Sequence, residues 1–268
     1  MSESLAVEQR GAVGLVTMNR PERHNAFDDV LIAELTETLR TIEADDSIRV
    51  VVLSGAGKSF SAGADLNWMK RMAGFSAEEN RRDAMGLATL MRTLAHLRKP
   101  TIARVHGPAY GGGVGLVACC DVAIATFSAT FALTEAKLGL IPAAISPYVV
   151  SAIGERAARR LFLTAERFDA AEAFRLGLVH DLAPDEKVLD EKLGDIVEAM
   201  LACSPAAQLA AKELIRAVAN RPVTSELIQD TADRIAKIRS SPEGREGVAA
   251  FLEKRRAAWV PADPAPDD

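Results

Sequence analysis

Residues 109–125, AYGGGVGLVACCDVAIA, set three consecutive glycines in front of the most apolar run of the chain. Glycine loses more backbone freedom on ordering than any other residue, so a triple glycine is a poor way to extend a helix or a strand. Gly111, Gly112 and Gly113 therefore mark a turn into an apolar element and a place where another group comes close to the backbone. Two readings follow. In one, a buried helix packs closely on a sheet. In the other, a short helix GGVGLVACC presents its first N–H groups, unpaired and at the positive end of its dipole, to a ligand. Such donors stabilise a developing oxyanion, and one lost donor typically costs about 2.7–4 kcal/mol.

A second small-residue loop, SFSAGADL (59–66), weights the second reading. It too follows a predicted strand and offers a second N–H. Two such loops fit a two-donor site for a thioester oxygen. The surrounding pattern is that of strand–helix units. GAVGLVTM (11–18), IRVVVLSG (48–55) and TIARVHG (101–107) read as strands, and DVAIATFSATFAL (121–133) as two more. Residues 28–46 form an amphipathic helix with Leu31, Leu35, Leu39 and Ile42 on one face. A second helix spans about 76–97, with Ser76 and Glu79 in capping-box spacing and Pro100 at its exit. From about 145 onward the chain is mostly helical, with breaks at Pro184, Pro205, Pro222 and Pro242. The expected organisation is an α/β core over 1–200, a helical region over 201–260 and a low-complexity, disordered tail over 261–268.

Several chemistries find no support. VLSGAGKS (52–59) has Val52 where a phosphate-binding loop needs its leading glycine. The 111–115 cluster has Leu116 where a dinucleotide fingerprint needs its last glycine. No G-x-S-x-G elbow occurs, and the four histidines (24, 96, 106, 180) are scattered, so no metal site is expected. The net charge of −5 disfavours nucleic acid as the main partner. Three cysteines, Cys119, Cys120 and Cys203, make no disulfide framework, and the amino terminus lacks a signal-like apolar core. No stretch reads as a membrane span. The expectation is a cytoplasmic protein.

At the two loops together the sequence resembles the enoyl-CoA hydratase/isomerase (crotonase) superfamily. TMNRPERHNAF, SFSAGADLNWM, VHGPAYGGGVGL, FALTEAKLGLIP and EGVAAFLEKRRAAW are similar to that family's segments and stand in its order, so the resemblance covers nearly the whole chain. It implies a spiral of ββα units with a C-terminal helical trimerisation region, assembled as a homotrimer or a hexamer of two trimers. It implies an acyl-CoA thioester as substrate, with no cofactor beyond the coenzyme A that the substrate carries. Carried over by position, the oxyanion donors are the amides of Ala64 and Gly112. Ala62, Gly63, Asp65 and Leu66 line the CoA channel. His24 and Ala26 stand where the family contacts the nucleotide end. Phe251 and Lys254 close on the adenine and 3′-phosphate, across a subunit boundary.

One departure shapes the chemistry. Many hydratases of this superfamily use two glutamates, and the first would stand at Gly115. Only the second has a match, Glu135 in LTEAKLGLIP. A lone carboxyl in an apolar pocket has a raised pKa, fit for proton exchange near neutral pH. It can support hydration through a bound water, or proton shuttling between carbons, which is double-bond isomerisation. A weakly catalytic CoA-thioester-binding or RNA-binding relative is the reading from another class. Asp121 is expected to orient backbone. The pattern SAGADLNWMKRM with LGLIPAAISPYVV looks most like bacterial methylglutaconyl-CoA and isohexenylglutaconyl-CoA hydratases, enzymes of leucine and acyclic terpene breakdown. That likeness implies a branched, carboxylated acyl group, with Lys70 or Arg71 as the cation that meets it.

Overall fold

Valine-rich runs buried on both faces make the central strands of a mostly parallel sheet, and the helices between them return the chain to its starting edge. The computed structural model describes residues 4–261. Its first unit takes in the chain up to residue 97 and residues 101–195. It opens with β1 (Leu5–Arg10) and β2 (Val13–Met18), an antiparallel pair. Then come α1 (Asp29–Ala44), β3 (Val50–Gly55), α2 (Leu66–Met72) and α3 (Ala77–Ala95). After β4 (Thr101–Val105) and the short β5 (Ala109–Tyr110), α4 (Gly112–Cys119) carries the apolar run. β6 (Val122–Thr126), β7 (Thr130–Ala132), α5 (Ser146–Thr164), β8 (Arg167–Asp169), α6 (Ala170–Arg175) and β9 (Asp181–Ala183) complete it.

The larger sheet has the order β1-β2-β3-β4-β6-β9, parallel throughout after the β1–β2 pair. The smaller has the order β5-β7-β8. Leu31, Leu35, Leu39 and Ile42 of α1 are buried, as their spacing requires, and join Leu90, Met91 and Leu94 of α3 in the core. The Ser76–Glu79 capping box is formed in both directions. Asp121 accepts from the Thr101 amide at 2.8 Å and its hydroxyl at 2.9 Å, which ties the exit of α4 to the start of β4.

The parallel pairing of β3 with β4 places the site. Neighbouring parallel strands deliver their following loops to the same edge of a sheet. Here those loops are 56–65 and 106–111. Ser61 donates its amide to Pro108 O at 3.1 Å and accepts from the Tyr110 amide at 2.8 Å, so the two loops pair as if they were strands.

The helix α7 (Glu186–Ala202) crosses from the first unit into the second, which comprises residues 98–100 and those from 196 on. The boundary falls inside that helix. The second unit holds α8 (Pro205–Val218), α9 (Ser225–Ser240) and α10 (Pro242–Leu252). Within it, Glu243 accepts from the Ala206 amide at 3.0 Å and Trp259 donates to Ala202 O at 3.0 Å. No helix among the described residues is long and apolar enough to cross a membrane. The expected tail, apart from Pro261, lies outside the described residues.

The strand β1 was not legible in the sequence. It is an edge strand with only Leu5 buried, so it lacks the apolar alternation by which a strand is read. The three-residue β8 and β9 interrupt a region that reads as helical because they are too short to show a period.

Candidate active site

The three segments of the predicted site meet at glycines. A β-carbon placed on Gly111 would stand 3.1 Å from Glu135 Oε1 and 3.8 Å from the Gly63 Cα. One on Gly112 would strike the Phe27 ring at 2.9 Å, and one on Gly113 would strike Ser61 O at 2.7 Å. The triple glycine is therefore a contact surface. It lets the loop 56–65, the Phe27 ring and the Glu135 carboxyl all reach the start of α4. Close packing, the first of the two readings, brings the first turn of α4 against its neighbours and onto a cavity.

That cavity has a volume of about 700 Å³. Ala62, Gly63, Ala64, Gly111, Gly112 and Glu135 all line it. Phe27 lies beneath Gly112, and Trp68, Met69, Met72, Ala84 and Leu87 of α2 and α3 form an apolar wall. Residues 138–145 close another side. Ala64 sits in a parallel bridge with Phe27. The Phe27 amide donates to Gly63 O at 2.6 Å, and the Asp65 amide donates to Phe27 O at 2.7 Å. In such a bridge the bonds fall on the residues either side of Ala64, so its own amide is not consumed. Gly112 is the first residue of α4, where an N–H has no intrahelical acceptor. Among the described residues, neither amide donates a turn, loop or cap hydrogen bond.

Glu135 begins a 3-10 turn that runs to Leu138. Its Oε2 is buried and has no hydrogen-bond partner. Burial raises its pKa above the ordinary glutamate value, and a local backbone hydrogen bond opposes the rise only in part. A carboxyl so placed exchanges protons more readily near neutrality than a solvated one.

The place a second acid would take is filled. A β-carbon on Gly115 would stand 2.2 Å from Ile145 Cγ2 and 3.2 Å from Met91 Cε. Ile145 is fully buried and lines the cavity, so this chain has an alkyl group where the two-glutamate pattern would bring a carboxylate.

Other sequence-predicted residues lie elsewhere. Asp65 does not line the cavity. Its Oδ1 caps α2 through the Asn67 and Trp68 amides at 2.8 and 3.2 Å, and its Oδ2 meets Arg23 at 3.2 Å and Arg20 at 3.5 Å. Burial pushes its pKa up, but the Trp68 and Asn67 amides and Arg23 outweigh that and hold it below the usual carboxylate value. Leu66 is exposed and off the cavity wall. His24 is exposed, with Nδ1 3.0 Å from the Ser59 hydroxyl. Ala26 is buried, and its carbonyl accepts from Arg20 at 3.3 Å. Phe251 of α10 is 82% exposed, and Lys254 lies just beyond the same helix; both belong to the second unit. Lys70 is exposed and Arg71 pairs with Asp29, and neither lines the cavity.

Trp68, Asp83 and Ile145 were missed. The Trp68 indole donates to Asp83 at 2.9 Å, joining α2 to α3 in the wall. The signal was present in the small and apolar residues Ala84 and Leu87, which extend α3's apolar character beyond its core face. No sequence period announced Ile145, which sits in an irregular segment.

Comparison with known proteins gives the family. The family model for enoyl-CoA hydratase/isomerase matches residues 8–261. A Thermus thermophilus protein described as an enoyl-CoA hydratase is 38% identical over 247 residues, covering 92% of this chain and 97% of its own. A crystal structure of an enoyl-CoA hydratase from Shewanella pealeana superposes with a TM-score of 0.93 at 44% identity, over 96% of each chain. A Legionella pneumophila structure described as an enoyl-CoA hydratase/isomerase (crotonase) gives 0.91 at 49% identity, over 96% of this chain and 99% of that one. With matches of this extent, the chain belongs to the enoyl-CoA hydratase/isomerase family and has the crotonase fold.

Proposed function

We propose that the protein is an enoyl-CoA hydratase that adds water across the 2,3 double bond of an acyl-CoA thioester, with Glu135 as its one proton carrier. A single observation carries this: the Glu135 carboxyl, with its buried Oε2 unpartnered, stands at the junction of Gly111 and Gly63, in the cavity that Ala64 and Gly112 also line. The Ala64 and Gly112 amides hold the thioester oxygen and stabilise the negative charge that develops there. As the oxygen of water bonds to C3, Glu135 takes one of its protons and an enolate forms. Glu135 then returns that proton to C2, so one water is added and the carboxylate is regenerated. The raised pKa of Glu135 places the acid limb of the kcat profile above the ordinary 4.5 of a glutamate.

The closed Gly115 position favours a second reading, isomerisation, in which the same carboxyl moves a proton between C2 and C4 of a 3-enoyl thioester. The acyl group we propose is branched or carboxylated, such as 3-methylglutaconyl. A carboxylate calls for a cation, and among the described residues no lysine or arginine lines the cavity. Phe251, Lys254 and His24 are proposed for the nucleotide end of CoA, and a trimeric or hexameric assembly accompanies this reading. With no disulfide among Cys119, Cys120 and Cys203, a reducing compartment such as the cytoplasm accompanies this reading.

The test follows the enoyl absorbance of crotonyl-CoA. Absorbance falls as water adds, and Glu135→Gln lowers kcat by about 10²–10⁴-fold. Retained turnover in that variant removes Glu135 from the mechanism. A 3-enoyl thioester that gains conjugation without net hydration selects the isomerase. Faster turnover of 3-methylglutaconyl-CoA than of crotonyl-CoA supports the carboxylated substrate, and slower turnover rejects it. Thioester binding without turnover leaves a binding protein.

A further inference from the structure

The stretch from Arg20 to Asp28 lies between the two amide-bearing loops and touches both. Phe27 does so with its backbone and its ring. Its N–H and C=O clamp Gly63 and Asp65, the residues on either side of Ala64, at 2.6 and 2.7 Å. Its ring lies where a β-carbon on Gly112 would be 2.9 Å away, so Gly112 packs directly against the ring. Phe27 is only 1% exposed and has no room to shift without moving one loop or the other.

The same stretch is tied down by a buried ion network. Arg20, itself buried, reaches Asp28 Oδ2 at 2.7 Å, Ala26 O at 3.3 Å and Asp65 Oδ2 at 3.5 Å. The two aspartates are used alike. Asp28 caps α1 with Oδ1, through the Leu31 amide at 2.9 Å, and Asp65 caps α2 with its own Oδ1. Each turns Oδ2 to the one guanidinium. Two helix starts are thereby cross-linked through Arg20, one just after Phe27 and one just after Ala64. Asn25 adds a second tie. Its side chain donates to Ala56 O and Ser59 O at 2.9 and 2.8 Å, and its carbonyl accepts from the Ser61 hydroxyl at 2.9 Å.

We propose that residues 20–28 act as a strap that sets the separation of the Ala64 and Gly112 amides, with Phe27 as the spacer and the Arg20–Asp28–Asp65 network as the tie. Arg20, Phe27 and Asp65 are positioning residues here, acting through the amides and not on the reacting atoms. The proposal rests on the thioester reading of the cavity. Its chemical basis is that donors to an oxyanion act only within a narrow distance, so a shift of about 1 Å costs on the order of 100-fold in rate.

The experiment uses the 4-dimethylaminocinnamoyl thioester of CoA, a push–pull chromophore whose absorption moves to the red when donors polarise its carbonyl. The wild-type protein is compared with Asp65→Asn, Phe27→Leu and Glu135→Gln. Asparagine caps a helix as well as aspartate does, so Asp65→Asn removes the ionic tie and keeps the α2 cap. Phe27→Leu removes the ring and touches no charge, so it decides the matter should Asp65→Asn fold poorly. The expected result is a red shift in wild type, kept in Glu135→Gln and reduced by at least half in the two strap variants. Their kcat on crotonyl-CoA falls about 10–100-fold, with KM within about threefold. A full shift in both strap variants, or a fall in kcat with the shift intact, overturns the strap alone. No shift and no turnover in wild type overturns the thioester site, and the strap with it.

Discussion

At Glu135, the property that suits the residue to chemistry also weakens the fold. Burial without a partner for Oε2 disfavours its charged form, so the folded chain holds the proton more tightly than the unfolded chain, whose glutamate has its ordinary pKa of 4.5. Below that value both states are protonated and the residue is neutral in its effect. As pH rises from 4.5 through the folded-state pKa, the unfolded state gains more by ionising, and stability is lost. Glu135→Gln carries no charge at any pH and escapes that loss. Thermal melts should therefore show the variant more stable than wild type near pH 8, with the difference closing by about pH 3. A variant less stable than wild type near pH 8 would contradict the buried, unpartnered placement. The sequence already implied this carboxyl's isolation, because Glu135 stands alone between apolar segments. It did not imply the fate of Asp65. Aspartate one residue past a small-residue turn reads equally as a ligand contact and as a helix cap, and only the fold shows that both its oxygens are engaged.

Among elements, the packing of α4 against the segment that leads into α5 removes the second acid. Gly115 and Ile145 occupy one volume between them, and the contact is tight enough that a single methyl on Gly115 overlaps the Ile145 side chain. Gly115→Ala should destabilise the fold by about 1–3 kcal/mol through overpacking, even though alanine favours the helix. Ile145→Ala alone should cost about 2–5 kcal/mol by leaving a cavity. The double variant should cost less than the sum, because each change relieves the other, and denaturant melts of the four proteins measure that coupling. Strict additivity would mean that the two residues do not share the space. This pair also marks the limit of what the sequence carries. The helices at 29–44 and 77–95 were legible because period and cap agree: Leu31, Leu35, Leu39 and Ile42 share a face, and Ser76 and Glu79 bond reciprocally. The two loops that meet at the cavity were legible because small residues follow predicted strands. Ile145 and Trp68 reach the cavity from an irregular and a short segment, for which no local pattern exists, and Asp83 reaches it from the face of α3 that tertiary packing turns toward the cavity.

For the whole molecule, the helices of the second unit leave much of their apolar surface uncovered. Among the described residues of α8, α9 and α10, only Leu227 and Ala250 are buried. Ile215, Ile228, Ile235, Val248, Phe251 and Leu252 stay exposed on the same three helices. A helix that is amphipathic but unpartnered on its apolar side gains stability by meeting another copy, and contiguous apolar patches on soluble chains mark such contacts. The proposed assembly gives that surface a partner. Light scattering coupled to size exclusion should then return three or six times the chain mass of 28.6 kDa at micromolar concentration. Val248→Glu on α10 places a charge in the contact and should shift the distribution toward smaller species. If Phe251 and Lys254 close over CoA from a neighbouring copy, the same variant should raise the KM for crotonyl-CoA in step with dissociation. The Glu135-dependent step would survive in the fraction still assembled. A wild-type chain that elutes at 28.6 kDa and turns over at full rate would separate catalysis from assembly, and would leave the exposed face of α8–α10 without this explanation.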